Sequence, residues 1–213
     1  MSSPQFVQIP LDHIEKDDTP EFREERISAL VQQQSNRDGE AVGVKLIFLD
    51  VDGVLNTQEQ HLATSISGAC LRLLCELCHR TDAKIVVSST WRKHKPFMAK
   101  LLSCLNQYDC EERVLGKTSE IAPFERPAEI VKWMADAKQR YGLEVAGWIA
   151  IDDMPLEQMQ PSLMHRHCVL TTIQRGFERH HIAQGERLLI PRSQKKVVNK
   201  SIARTVTPTE TSA

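Results

Sequence analysis

The sequence predicts an α/β fold built on a doubly wound parallel sheet. Short apolar runs rich in β-branched residues alternate along the chain with amphipathic stretches of helical period, which is the pattern of βαβ units. Three of those runs end in polar groups, as strands of an open parallel sheet do where their carboxyl ends face a ligand crevice. At 213 residues and 41% hydrophobic, the chain can bury one good core, so one domain with extensions is expected.

Residues 1–43 read as an N-terminal extension. Within them Thr19-Pro20-Glu21 offers an N-cap, a proline at the first helical position and an acidic first turn. Phe22, Ile27, Leu30 and Val31 form the narrow apolar stripe of one short helix, and a loop over Ser35 to Gly39 ends it. The stretch Lys45 to Asn56 follows, and the rest of the chain is organised around it. Its apolar run is too short for a typical helix and stops at Asp50-Val51-Asp52-Gly53, which favours a buried parallel strand. Alternation puts Asp50 and Asp52 on one face, separated by about 6.6 Å of rise. A solvated turn after a strand would also account for Asp-x-Asp-Gly, and sugar-nucleotide transferases use Asp-x-Asp as a metal site. The glycine comes too early for an EF-hand loop.

A helix is expected from Ser67 to about His79, with Ala69, Cys70, Leu73, Leu74, Leu77 and Cys78 inward. Ala83 to Ser88 is the second strand, and Pro96 opens the next helix. Glu112 to Lys117 reads as a short strand; its Gly116-Lys117-Thr118 is not a P-loop, because Glu111 stands where that motif requires glycine. A long helix begins at Pro127 and is capped by Gly142. Trp148 to Ile151 is a strand ending in Asp152-Asp153, Cys168 to Thr171 is the last strand, and a helix runs from about His180 to Leu189. Residues 191–213 are basic and then Thr/Ser-rich, the composition of a disordered tail.

The formal charge of −1 and pI near 6.7 supply no broad basic field for nucleic acid, so any polyanion contact would be local. The start of the chain has no apolar signal-like region, and no window reaches the roughly 18 apolar residues of a membrane span, so a soluble, cytoplasmic protein without membrane contact is expected. The six cysteines are irregularly spaced, and three share one helix, which favours free buried thiols over disulfides. Cys75 and Cys78 form a Cys-x-x-Cys beside His79, but no second pair follows at zinc spacing.

Asp50-x-Asp52, Ser88 and Asp152-Asp153 each follow an apolar strand, so they should gather on one sheet edge although the two acidic groups are about 100 residues apart. Four carboxylates suit a hard divalent cation with oxygen ligands, and Mg²⁺ is expected because it retains waters and accepts phosphate oxygens.

On these residues the chain, from Val44 to Leu189, resembles the haloacid dehalogenase-like (HAD) superfamily of aspartate-nucleophile phosphatases. The first motif matches as Asp50-Val51-Asp52-Gly53-Val54-Leu55-Asn56, the second as Ile85-Val86-Val87-Ser88, and the fourth as Ile149-Ala150-Ile151-Asp152-Asp153. More narrowly, Ser88-Ser89-Thr90-Trp91-Arg92, Arg126 before a helix containing Ala128-Glu129-Ile130 and Trp133, the Ile151-Asp152-Asp153 end, and Cys168 to Thr172 with Arg175-Gly176-Phe177 resemble the HAD domain of Swiss Army Knife RNA repair proteins. The resemblance implies a Rossmann-like core over residues 44–190. It also implies that Asp50 attacks phosphorus, that Asp52 serves as acid and then base, and that Ser88 bonds a phosphoryl oxygen. Mg²⁺ would be held by Asp50, the main-chain carbonyl of Asp52, and Asp152 or Asp153.

An ordinary turn hydrogen bond is the lesser alternative for Ser88. For the basic group that completes the phosphate clamp, Arg126 matches by position and Lys117 is the competitor. About 35 residues separate Asp52 from Ser88 and are spent on a flap, a helix and a strand, so the cap is minimal and the site open. An open site admits a phosphate on a macromolecule, RNA or protein. The expectation is therefore a Mg²⁺-dependent phosphomonoester phosphatase; the alternative is a non-catalytic phosphate- or nucleic-acid-binding module on the same fold.

Overall fold

The structure is a computed structural model that describes residues 20–35, 43–58, 65–122 and 125–190; the expected tail and most of the N-terminal extension lie outside them. Five strands form one parallel sheet: β1 (Val44–Leu49), β2 (Lys84–Val87), β3 (Val114–Lys117), β4 (Val145–Asp152) and β5 (Cys168–Leu170), in the order β3-β2-β1-β4-β5. Alternation along β1 divides the core between the two faces of the sheet. Ile47 and Leu49 face a layer made by α2 (Gly68–Thr81), α3 (Lys95–Asn106) and the C-terminal helix Arg179–Leu189. Leu46 and Phe48 face a layer made by α1 (Glu24–Ser35), α4 (Arg126–Tyr141) and the two short helices α5 (Leu156–Met159) and α6 (Pro161–Met164). The sheet is thus doubly wound, and the C-terminal helix is α7.

Several boundaries differ from the sequence reading for identifiable reasons. The first helix begins at Glu24 because Phe22 pairs as a single antiparallel bridge with Gly116, and Arg23 N–H donates to the Leu115 carbonyl at 2.7 Å. Its stripe joins the main core, where Phe22 stacks on Trp133 and Ile27 is fully buried. Gly116 accepts this close approach: a Cβ there would stand 2.1 Å from the Glu21 carbonyl oxygen. β4 starts at Val145, three residues before Trp148, and pairs along the whole length of β1. α5 and α6, four residues each, gave no periodic signal long enough to detect. The start and end of α2 and α4 follow their caps: Ser67 accepts from Cys70 N–H, and Gly142 adopts φ +72° beyond Tyr141. Cys70, Cys75, Cys78, Cys104, Cys110 and Cys168 are all free thiols.

Chain order reverses between β1 and β4, so their carboxyl ends flank the crevice that open α/β sheets offer to ligands. The segments between β1 and β2 and between β3 and β4 carry no further domain among the described residues. No helix is long and apolar enough to cross a membrane among the residues described.

Candidate active site

Strand register aligns the site. Leu49 pairs with Ile151 on one side and Val87 on the other, and Val87 pairs with Lys117. The next residues, Asp50, Asp152, Ser88 and Thr118, therefore lie in a row along the sheet edge. The ladder continues into the loops, with Asp50 N–H donating to the Ile151 carbonyl and Ser88 N–H to the Leu49 carbonyl. Neighbours in register in a parallel sheet project to the same face, so the row presents its side chains together.

The carboxylates of Asp50, Asp152 and Asp153 each place one oxygen within 4.8 Å of the others, and they form the group among the described residues that could hold a metal ion. Asp50 and Asp152 are buried and Asp153 is half-buried. Arg126, in the first turn of α4, lies between the first two: its Nη1 is 2.9 Å from Asp50 Oδ2 and 2.5 Å from Asp152 Oδ2. One guanidinium against three carboxylates leaves the cluster two charges short of neutrality. Burial first, and charge second, set the ionisation of the cluster. Burial raises the pKa of Asp50, against the lowering influence of Arg126 and of hydrogen bonds from Ser89 and Val51. Asp152 is pushed up to about 7, first by burial and then by the charge of Asp50. Asp153 is raised by the same two influences in the same order. Burial alone would lower Arg126, but the charges of Asp50 and Asp152 hold it above its ordinary range. The donor set is all oxygen and lacks the charge of one divalent cation, so it fits a hard metal ion.

Asp52 is held apart from this trio. Its carboxylate accepts from the Trp91 indole N–H, 3.1 Å from each oxygen, and from Asn56 Nδ2 at 2.8 Å. The turn that carries it depends on Gly53, whose φ of +72° few other residues tolerate. A Cβ on Gly53 would also stand 2.3 Å from the Asp153 carboxyl group. Thr171, just past β5, donates its hydroxyl to the Gly53 carbonyl at 2.8 Å and ties this turn to the far side of the sheet.

Ser88 is buried, and its hydroxyl has no partner among the described residues; the same is true of Thr118 in the same row. An ordinary turn hydrogen bond therefore does not occupy Ser88. Leaving a buried hydroxyl unmatched costs about 1–3 kcal/mol, so it suits a group that meets a ligand oxygen. The two candidates for the basic group part company. Arg126 reaches the carboxylates, whereas Lys117 turns its Nζ to the Arg92 carbonyl at 3.2 Å.

Sequence reasoning missed three residues. Ser89 bonds Asp50 through its side chain. Trp91 holds Asp52, and Arg92 forms a buried ion pair with Glu129. All lie in or beside the Ser88 to Arg92 segment, but no spacing rule ties them to partners in other elements. Cys110 gathers the thiols of Cys75 and Cys78 and lies 3.7 Å from His79 Nε2, yet these residues do not come mutually close enough to join the carboxylates as a metal-holding group.

The model of a family described as the HAD domain in Swiss Army Knife RNA repair proteins matches residues 46–182. Comparison with curated proteins and with solved structures returns no match.

Proposed function

The chain belongs to the family of HAD domains found in Swiss Army Knife RNA repair proteins, and from that premise we propose that it is a Mg²⁺-dependent phosphatase that removes a phosphomonoester through an aspartyl-phosphate on Asp50. The family suggests phosphatase-type chemistry in general. The observation that supports the specific reading is the placing of Asp50: a buried carboxylate held by Arg126 and Ser89, beside two further carboxylates and the unpartnered hydroxyl of Ser88.

The residues divide the work as follows. An Asp50 oxygen forms a bond to phosphorus as the bond to the leaving oxygen breaks, and Asp52 gives that oxygen a proton. Asp52 then takes a proton from water, whose oxygen attacks phosphorus and releases inorganic phosphate and free Asp50. The donor-only indole of Trp91 fixes the direction of the Asp52 carboxylate without competing for its proton. Arg126 favours the ionised form of Asp50 against the effect of burial and turns a guanidinium to the phosphoryl oxygens, which Ser88 also meets through its hydroxyl. Asp50, Asp152, Asp153 and the Asp52 carbonyl would hold Mg²⁺, which when bound neutralises charge on the transferring phosphoryl group.

The substrate class we propose is RNA bearing a terminal phosphate. The family's setting in RNA repair supports it, as does the absence of an inserted cap among the described residues, which leaves room for a chain end. The test is hydrolysis of an aryl phosphate with and without Mg²⁺, followed by 5′- and 3′-phosphorylated RNA, nucleotides and a phosphoprotein. Turnover of RNA ends that vanishes in Asp50→Asn is the expected result. Preference for the phosphoprotein would overturn the substrate assignment, and no Mg²⁺-dependent turnover of any ester would overturn the activity.

A further inference from the structure

We propose that Arg92 and Glu129 form a positioning pair that sets the guanidinium of Arg126 between Asp50 and Asp152. The inference rests on the phosphatase reading of the site and adds residues that do not themselves touch the reacting group.

Arg92 lies in the 3-10 turn Thr90–Lys93 that follows β2. Its Nη2 donates to both carboxylate oxygens of Glu129, at 3.0 and 2.9 Å, and its Nη1 donates to the Ser89 carbonyl at 2.8 Å. The two side chains are 6% and 3% exposed, so the pair is desolvated. Glu129 stands three residues after Arg126 on α4, hence on the same helix face. Its Oε1 also accepts from Ile121 N–H at 3.3 Å, in the loop between β3 and α4.

These contacts close a ring. Asp50 is bonded by Ser89, the Ser89 carbonyl by Arg92, Arg92 by Glu129, and Glu129 shares a helical turn with Arg126, which returns to Asp50. The ring therefore joins the turn that steadies the nucleophile to the helix that delivers its counter-charge. α4 has no side-chain cap at its start, and the pair adds a second tie between its first turn and the sheet edge beside the contacts of Arg126 with Asp50 and Asp152. A buried ion pair is a weak source of stability compared with apolar packing, and its fixed bidentate geometry is better suited to direction. Glu129 has a second consequence. It neutralises a guanidinium close to Arg126, so that two cationic side chains can share a buried corner. With their hydrogen bonds turned to each other and to main chain, Arg92 and Glu129 act through Arg126.

A mutant cycle tests this. The parent, Glu129→Gln, Arg126→Ala and the double variant are assayed for kcat and KM on an aryl phosphate with Mg²⁺, and for affinity toward inorganic phosphate by calorimetry. Glu129→Gln is expected to lower kcat about 10- to 100-fold with a smaller change in KM, and to have no further effect once Arg126 is alanine. Arg92→Lys keeps the charge but loses the fork, so a partial loss that also disappears with Arg126→Ala is expected if Glu129→Gln proves too unstable to isolate. Losses that multiply in the double variant would overturn the inference while leaving the phosphatase reading intact. A parent that neither hydrolyses the ester nor binds phosphate would overturn both.

Discussion

Arg126→Ala separates the two basic candidates of the site. The side chain is buried with Nη1 in contact with Asp50 and Asp152, whose oxygens lie within 4.8 Å of each other. At that separation and an effective dielectric near 20, two carboxylates repel by about 3.5 kcal/mol. Without metal, the variant is therefore expected to retain a proton on one of them. Mg²⁺ held by the carboxylates would restore much of the neutralisation, so the loss expected to persist at saturating metal is that of the donor to the phosphoryl group. Removing one preorganised donor of this kind costs about 2–4 kcal/mol, or roughly 30- to 900-fold in kcat/KM. Lys117 bonds a main-chain carbonyl instead, and Lys117→Ala should lose about 1–3 kcal/mol of stability and leave kcat/KM within about threefold. The assay is aryl phosphate hydrolysis at saturating Mg²⁺ with both variants shown folded by circular dichroism. A larger loss in Lys117→Ala than in Arg126→Ala would refute the assignment of Arg126 as the clamp.

Asp50→Asn keeps the shape of the nucleophile and removes its charge, so turnover should vanish while the melting transition is retained; parent-like turnover would exclude an aspartyl-phosphate on Asp50. Asp152→Ala and Asp153→Ala should each raise the Mg²⁺ concentration needed for half-maximal activity, and titrations that overlay the parent would remove the β4 end from the metal site. The pH dependence follows from the raised pKa of Asp152. An acid whose folded pKa lies above its unfolded value stabilises the fold at low pH, and that contribution is lost as pH rises from about 4 through about 7. Urea unfolding without divalent cation should show this fall in the parent and a flatter profile in Asp152→Asn, and Mg²⁺ should bind more tightly as pH rises toward 7 because a proton must leave. Gly53→Ala should cost about 1–3 kcal/mol of stability for its φ of +72° and weaken Mg²⁺ binding by displacing Asp153; unchanged affinity would show that the turn does not buttress the metal group.

The sequence by itself determined the class of fold and the ends of its central strands. Apolar runs and helical periods are local properties, so β1, β2, β4, α2 and α4 could be read from neighbouring residues alone, and strand alternation was enough to set Asp50 and Asp152 at one sheet edge. Tertiary structure decided what lies across gaps in the chain. It separated Arg126 from Lys117: Lys117 bonds the Arg92 main-chain carbonyl, while the first turn of α4 carries Arg126 to the carboxylates of Asp50 and Asp152. It also gave Glu129, an acidic residue on the same helix face as Trp133 and Ala137, a buried partner in Arg92 from another element. The first helix entered the core through a bridge between Phe22 and Gly116, which no local pattern encodes. Periodicity reports which face of an element is apolar; only packing reports which charged groups meet when those faces close.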